Sequence, residues 1–367
     1  MSEWKKTYLR DLIVIKNGKD HKKLKNGQYP VYGSGGIMRY ADSYLYDQES
    51  VLLPRKGTLN NIQFVTEPFW TVDTCYYTVV NRDKVLPYFL YCCLCKMDIQ
   101  SLNTGSAVPS MTFEKYYSIE VPIPPLATQH RIATILSRYD SLIENYQKQI
   151  KLLEEAAQRL YKEWFVDLHF PGHENTKIVD GVPEGWEKKK LHEIAEVVMG
   201  SSPKSEFYNN DKQGLPFHQG VGSYGTRFVD DNVYSTSITR LAEPNSILFS
   251  VRAPVGRLNI TKNKIIIGRG LAAMNHKDGF QSFLFYMLKE RFFMDNIIGN
   301  GSIFASISKV ELLDQEFIVP PMKTIKAFES LASKLDKKIQ GIDTQLHLLT
   351  EARDRLLPKL MSGEIEI

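Results

Sequence analysis

The chain repeats itself at a fixed offset of 196 residues. Gly105–Thr112 reads GSAVPSMT, and Gly301–Ser308 reads GSIFASIS. Pro124-Pro125 recurs as Pro320-Pro321, and Asp140, Glu155, Ala156, Arg159 and Leu160 recur as Asp336, Glu351, Ala352, Arg355 and Leu356. No insertion or deletion interrupts that register for more than fifty residues. A period this long exceeds any solenoid repeat, so the repeated unit is a domain plus a helix, used twice. A chain built this way is most simply one that reads two similar things.

The helical half of each copy is the more regular. Residues 126–167 contain neither Pro nor Gly, which predicts one long helix, and residues 322–367 repeat it. Ile132, Tyr139, Tyr146, Leu153 and Leu160 fall every seven residues, and so do Leu136, Ile143, Ile150, Ala157 and Trp164. The second copy places Phe328, Leu335, Ile342, Leu349 and Leu356, then Ala332, Ile339, Leu346, Arg353 and Leu360, at the same positions. Nineteen of these twenty are apolar, with Arg353 the exception. A strict seven-residue repeat drifts around a straight helix, and two helices coil together to keep it covered. The obvious partner of each helix is the other, packed antiparallel as a rod of about 60 Å. That arrangement predicts a globule at each end of the rod, related by approximate two-fold symmetry.

The remaining segments read as two mixed α/β globules, so the fold class expected is α+β. Residues 1–125 form the first, with short β-rich runs between Gly, Asn and Pro. Residues 168–321 hold a linker (Phe170–Trp186, with two Pro and three Gly) followed by the second globule. The flanks of the globules match, whereas residues 20–50 and 200–235 share almost nothing. A constant scaffold around divergent inserts suggests two different targets read with one geometry.

Composition bounds the partners loosely. Hydrophobic residues make up 43% of the chain, ordinary for folded domains, and the net charge of +4 demands no polyanion. Locally, Lys5–Lys25 holds eight Lys or Arg against two Asp, which suits either a solvated loop or phosphate contacts. Cys92, Cys93 and Cys95 sit in an apolar stretch whose second copy puts Tyr286 and Met287 in place of Cys92 and Cys93. Metal ligands would not be replaced in that way, so buried thiols are expected. No signal peptide or bilayer-length apolar run is evident, and a cytoplasmic protein is expected.

Catalytic constellations are missing. There is no GxxxxGK[ST], no dinucleotide fingerprint, no HExxH, no GxSxG and no Asn/Asp-Pro-Pro-aromatic run. A nuclease-like Glu187-x-Lys189 with Asp180 upstream has Glu3-x-Lys5 as its sister, with no room for a preceding Asp, so no metal site is expected.

What remains suits binding. Each globule has a strand ending in a basic turn: Arg55-Lys56-Gly57 with Thr58 and Asn60, and Arg252 to Arg257 around Gly256. Arg offers a fork for guanine edges or phosphates, and Gly allows close approach. The alternative is a hairpin turn with solvated charges. The duplicated loops add Asn103, Thr104, Ser106, Ser110 and Thr112, then Asn300, Ser302, Ser306 and Ser308. These hydroxyls suit phosphate contact or, equally, capping. Lys19, Lys22, Tyr32, Ser34 and Arg39 in the first globule, and Lys204, Gln219, Ser223, Tyr224, Arg227 and Arg269 in the second, complete the candidate DNA-binding set.

Four stretches carry a family resemblance: IPPLATQHRIATIL at Ile123–Leu136, LYKEWFVDLHFPG at Leu160–Gly172, VPEGWEKKKLHEIAEVVMG at Val182–Gly200 and LLPKLMSGEI at Leu356–Ile365. With the two-globule layout, the whole chain resembles a specificity subunit of a type I restriction–modification enzyme. One departure stands out: Gln129 and Arg131 become Ile325 and Ala327 in the second copy. The resemblance implies that each globule is a target-recognition domain reading half of a bipartite DNA site, with the helix pair fixing the unread gap. It implies assembly with two methyltransferase subunits and with motor–nuclease subunits. S-adenosylmethionine, ATP and Mg²⁺ would act on those partners, none being bound by this chain. Two other classes remain open, a coiled-coil adaptor without a nucleic-acid role and a stand-alone nuclease or methyltransferase.

Overall fold

The computed structural model describes residues 4–105, 107–292 and 306–367. Contacts divide the chain into two units, Met1–Tyr146 with Thr344–Ile367, and Gln147–Asp343. The division falls inside both long helices, which run Leu126–Phe165 and Met322–Ser362. Each helix therefore contributes one half to each unit. The second continues through Pro358, which cannot donate a backbone hydrogen bond.

In the first unit a four-stranded antiparallel sheet runs in the order Ile13–Lys16, Cys75–Val80, Ser50–Pro54, Gln63–Val65. A smaller sheet carries Gly36–Ala41, Tyr29–Gly33 and Trp70–Thr71, the last two parallel. The helix Pro87–Cys95 buries Phe89, Leu90, Cys92, Cys93 and Leu94 in the core. Ile132 and Leu136, from the start of the first long helix, share that core with Leu360 and Met361, from the end of the second. Burying each such side chain stabilises the unit by about 1.5–3 kcal/mol.

The second unit repeats this plan. Its four-stranded sheet runs Ala195–Met199, Leu271–His276, Ile247–Ser250, Leu258–Ile260, the same order with counterpart strands. Its other sheet has five strands, and again one pair is parallel, Leu215–His218 with Ile265–Ile267. The inserts that share no sequence thus share a topological core, and the second unit elaborates it. Here the end of the first long helix meets the start of the second, with Tyr161, Trp164 and Phe165 ringed around the fully buried Phe328. In both units the two long helices run antiparallel, and none of the twenty seam positions is exposed.

Backbone approaches confirm the register between the copies. A Cβ on Gly18 would lie 2.0 Å from the Val72 oxygen, and one on Gly200 would lie 2.1 Å from the Gly268 oxygen. Both positions therefore require glycine. Strand Lys5–Tyr8 pairs with Glu120–Ile123, and Glu187–Lys190 with Glu316–Val319. This pairing sets Lys5 opposite Ile123 and Glu187 opposite Val319. Lys5 is therefore the counterpart of Glu187, and the Glu3 alignment expected from sequence is two residues out of step. Cys75, Cys92 and Cys93 are buried free thiols, whereas Cys95 is exposed at the end of its helix, contrary to expectation. Burial pushes the Cys92 thiol up to about 12.

Candidate nucleic-acid interface

The tips of the two four-stranded sheets are built alike. Every residue of Ser50–Pro54 is buried, so this strand first meets solvent at Arg55 and Lys56. The Arg55 and Lys56 amides both donate to the Thr74 carbonyl, at 2.8 and 3.2 Å. Met111 donates to the Arg55 carbonyl at 2.9 Å, and Lys56 bridges Ser110. The second unit keeps three of these four contacts 196 residues on: Val251 donates to Gly270, Ile307 donates to Val251, and Arg252 bridges Ser306. Each basic turn is thus stitched to the repeated Gly-Ser loop. Lys56, Thr58 and Arg252 are exposed, and Arg257 is half-buried beside Gly256, whose φ is +88°. Ser106, Asn300 and Ser302 lie outside the described residues.

Several candidate polar side chains hold the loops themselves. The Asn103 side-chain oxygen accepts from the Gly105 and Ser110 amides, each at 2.8 Å, and the Thr104 hydroxyl donates to the Ser110 carbonyl at 3.0 Å. Thr112 and Ser308 cap the short helices that follow, accepting from Lys115 and Glu311 amides. Asn60 ties down the next turn through Asp98 and the Gln100 amide. Arg39 spends its guanidinium on the Leu24 carbonyl and on Asn26, both at 3.0 Å.

The divergent inserts present the rest. Lys19 and Lys22 are exposed, and Ser34 is half-buried, its carbonyl accepting from Asn61. Tyr32 packs edge-on against Phe69, and burial pushes its phenol up to about 12. In the second unit a cleft of about 950 Å³ is lined by Ser202, Gln219, Ser223, Asn232 and Arg269, among others. Ser202 donates to the Gln219 side-chain oxygen at 2.8 Å and accepts from the Arg269 amide at 3.2 Å. Beneath it, buried His218 bonds Ser223 at 2.8 Å through one ring nitrogen and Asp231 at 2.9 Å through the other. Burial pulls the Asp231 carboxyl up, but bonds from His218 and Asn263 win and hold it below the usual carboxylate range. This brace under the cleft was not anticipated, because His218 and Asp231 carry no motif. Lys204 lies at the surface near Glu206, and burial drives the Tyr224 phenol far above its ordinary value.

Arg227 corrects the sequence reading. Expected to contact DNA, its side chain is 2% exposed and forms ion pairs with Asp336 at 2.7 Å and Glu154 at 3.6 Å. Its guanidinium lies 3.6 Å from the Phe285 ring centroid. A guanidinium so enclosed faces no groove. Asp336 also accepts from Tyr286 at 2.7 Å. In the first unit its counterpart Asp140 accepts from Tyr88 at 2.5 Å and pairs with Arg353 at 3.0 Å. That pair accounts for the one polar residue in the heptad seam. Among the described residues no cluster of His, Cys, Asp or Glu is placed to hold a metal, and no helix is long and apolar enough to cross a membrane.

The chain is similar to known proteins. The family model of the type I restriction modification DNA specificity domain matches residues 1–155 and again 183–349. A putative type I restriction enzyme MjaX specificity subunit from Methanocaldococcus jannaschii is 31% identical over 297 residues, covering 78% of this chain and 70% of the relative. The MjaIX specificity subunit of the same organism is 28% identical over 346 residues, covering 88% and 79%. The crystal structure of the S subunit of a type I restriction–modification system from M. genitalium superposes with a TM-score of 0.66 at 18% identity, over 98% of this chain and 96% of that one. With the family's domain matched once in each copy of the repeat, the chain belongs to the type I restriction–modification specificity subunits.

Proposed function

We propose that this chain is the DNA-reading, non-catalytic subunit of a type I restriction–modification complex, each unit reading one half of a bipartite site. The observation that carries this reading is the pair of sheet tips. They share one backbone register and one stitched loop, while the surfaces around them differ in sequence and strand number. Two heads of common geometry and distinct surface suit two short, different sequences separated by a gap.

In this reading the long helices set the gap, and two methyltransferase subunits and the motor–nuclease subunits assemble on the chain. S-adenosylmethionine, ATP and Mg²⁺ act on those partners. The test is adenine methylation mapped across a genome in cells carrying this chain with its methyltransferase partner. Modification at a two-part asymmetric sequence is the expected result, and exchange of residues 20–115 for those of a relative should change one half alone. Methylation independent of this chain's sequence would sink the proposal. Removing matched heptads from both helices should alter the number of unread base pairs; an unaltered gap would leave the helices without a ruler role.

A further inference from the structure

The register between the units places Lys56 opposite Arg252, Arg55 opposite Val251, and Asp73 opposite Arg269. The first two follow from the paired bridges Lys56–Ser110 and Arg252–Ser306 and from the Met111 and Ile307 amides, which donate to Arg55 and Val251 at 2.9 Å. The third follows from the Arg55 and Val251 amides, which donate to Thr74 and Gly270, and from Gly18 and Gly200, which close on Val72 and Gly268. One position is therefore cationic in both units. The other two have exchanged character: the first unit has Arg55 beside Asp73, the second has Val251 beside Arg269.

The exchange leaves a guanidinium at the same tip. In the first unit Arg55 reaches across to the neighbouring connection, its Nη1 lying 3.4 Å from the Asp73 carbonyl oxygen. In the second unit the residue at that place is itself an arginine, Arg269, exposed at the cleft edge. Val251 is 4% exposed and belongs to the interior.

We propose that Arg55 and Arg269 are one and the same contact, delivered from adjacent strands, and that its ligand is a phosphate of the DNA backbone. This rests on the DNA-reading function above. A charge retained while its carrier moves answers to something common to both half-sites. Base edges differ between halves, whereas the phosphates do not. The constant cation at Lys56 and Arg252 belongs to the same anchor. Base discrimination then falls to the divergent inserts.

The test uses the complete chain assembled with its methyltransferase partner, and duplexes carrying the native site or single-base replacements in either half. Arg55→Val should weaken binding roughly ten- to hundredfold, the effect of one charge-assisted hydrogen bond. It should also make the slope of log K against log salt shallower by about 1 and leave the base preferences unchanged. Adding Asp73→Arg to Arg55→Val moves the guanidinium to the position it holds in the second unit, and should restore affinity and slope. Arg55→Val with Asp73→Asn keeps the native net charge without the guanidinium and should stay weak. Arg269→Ala should reproduce the single loss from the other unit. Relaxed preference at any base position in Arg55→Val or Arg269→Ala would mean a guanine reader and overturn the proposal. So would failure of the Asp73→Arg rescue, or equal rescue by Asp73→Asn. If the unaltered complex shows no sequence preference at all, it is the DNA-reading function that fails.

Discussion

Asp140 and Asp336 sit at the same step of the two long helices, yet they are held in different ways. Each accepts a tyrosine hydroxyl, Tyr88 or Tyr286, and each meets an arginine. In the first unit the arginine is Arg353, from the other long helix, and the pair is partly open, with side chains 30% and 27% exposed. In the second unit the counterpart of Arg353 is Ala157, which is fully buried, and the arginine comes instead from the globule. Duplication preserved the carboxylate and left its cation to be supplied anew. An interaction can thus be conserved in a repeat when its cation keeps neither its position nor its element.

Arg227→Met should give the largest effect. It strands Asp336 and Glu154 in a poorly solvated site and should cost the second unit about 3–5 kcal/mol, read as the loss of one transition in a denaturant melt. A variant stable within 1 kcal/mol would dissolve the contrast between the units. Tyr286→Phe should follow at about 1–2 kcal/mol, since it removes a mostly buried donor to the same carboxylate. Arg353→Met, at the partly exposed pair, should cost at most about 1 kcal/mol, with much of it lost in high salt. Equal losses at Arg227 and Arg353 would show that burial does not separate the two sites.

The smallest effect concerns pH. Asp231 titrates below the usual carboxylate range in the folded chain, so its bonds stabilise at pH above that range, and the contribution fades as the pH falls through it. Asp231→Asn should therefore flatten the acid limb of the second unit's stability curve while leaving the first unit's unchanged. A variant that steepened this limb would have the sign wrong.

These contrasts also mark how far the letters could be read. The two long helices were legible because seven-residue periodicity and the absence of Pro and Gly are local signals. Their observed bounds, Leu126–Phe165 and Met322–Ser362, fall a few residues short of the expected ends. The divergence of the inserts was legible too, though not the parallel strand pair that both retain. The burial of Arg227 is not legible in its neighbourhood of the sequence, because the carboxylate that pairs with it, Asp336, lies 109 positions away. Asn60 and Asn103 were ambiguous for another reason: an amide that reads a base also closes a turn. The Glu3 alignment slipped because short edge strands carry no period to fix their register.

One pairing reaches beyond stability. The first and last strands of each globule are hydrogen-bonded neighbours, Lys5 beside Ile123 in one and Glu187 beside Val319 in the other. The chain comes in and goes out at a single spot, like the two pins of a plug. Whatever lies between the pins is tied to the rest of the chain at that one spot, so an insert of different length or sequence can be accommodated there while the socket stays as it is.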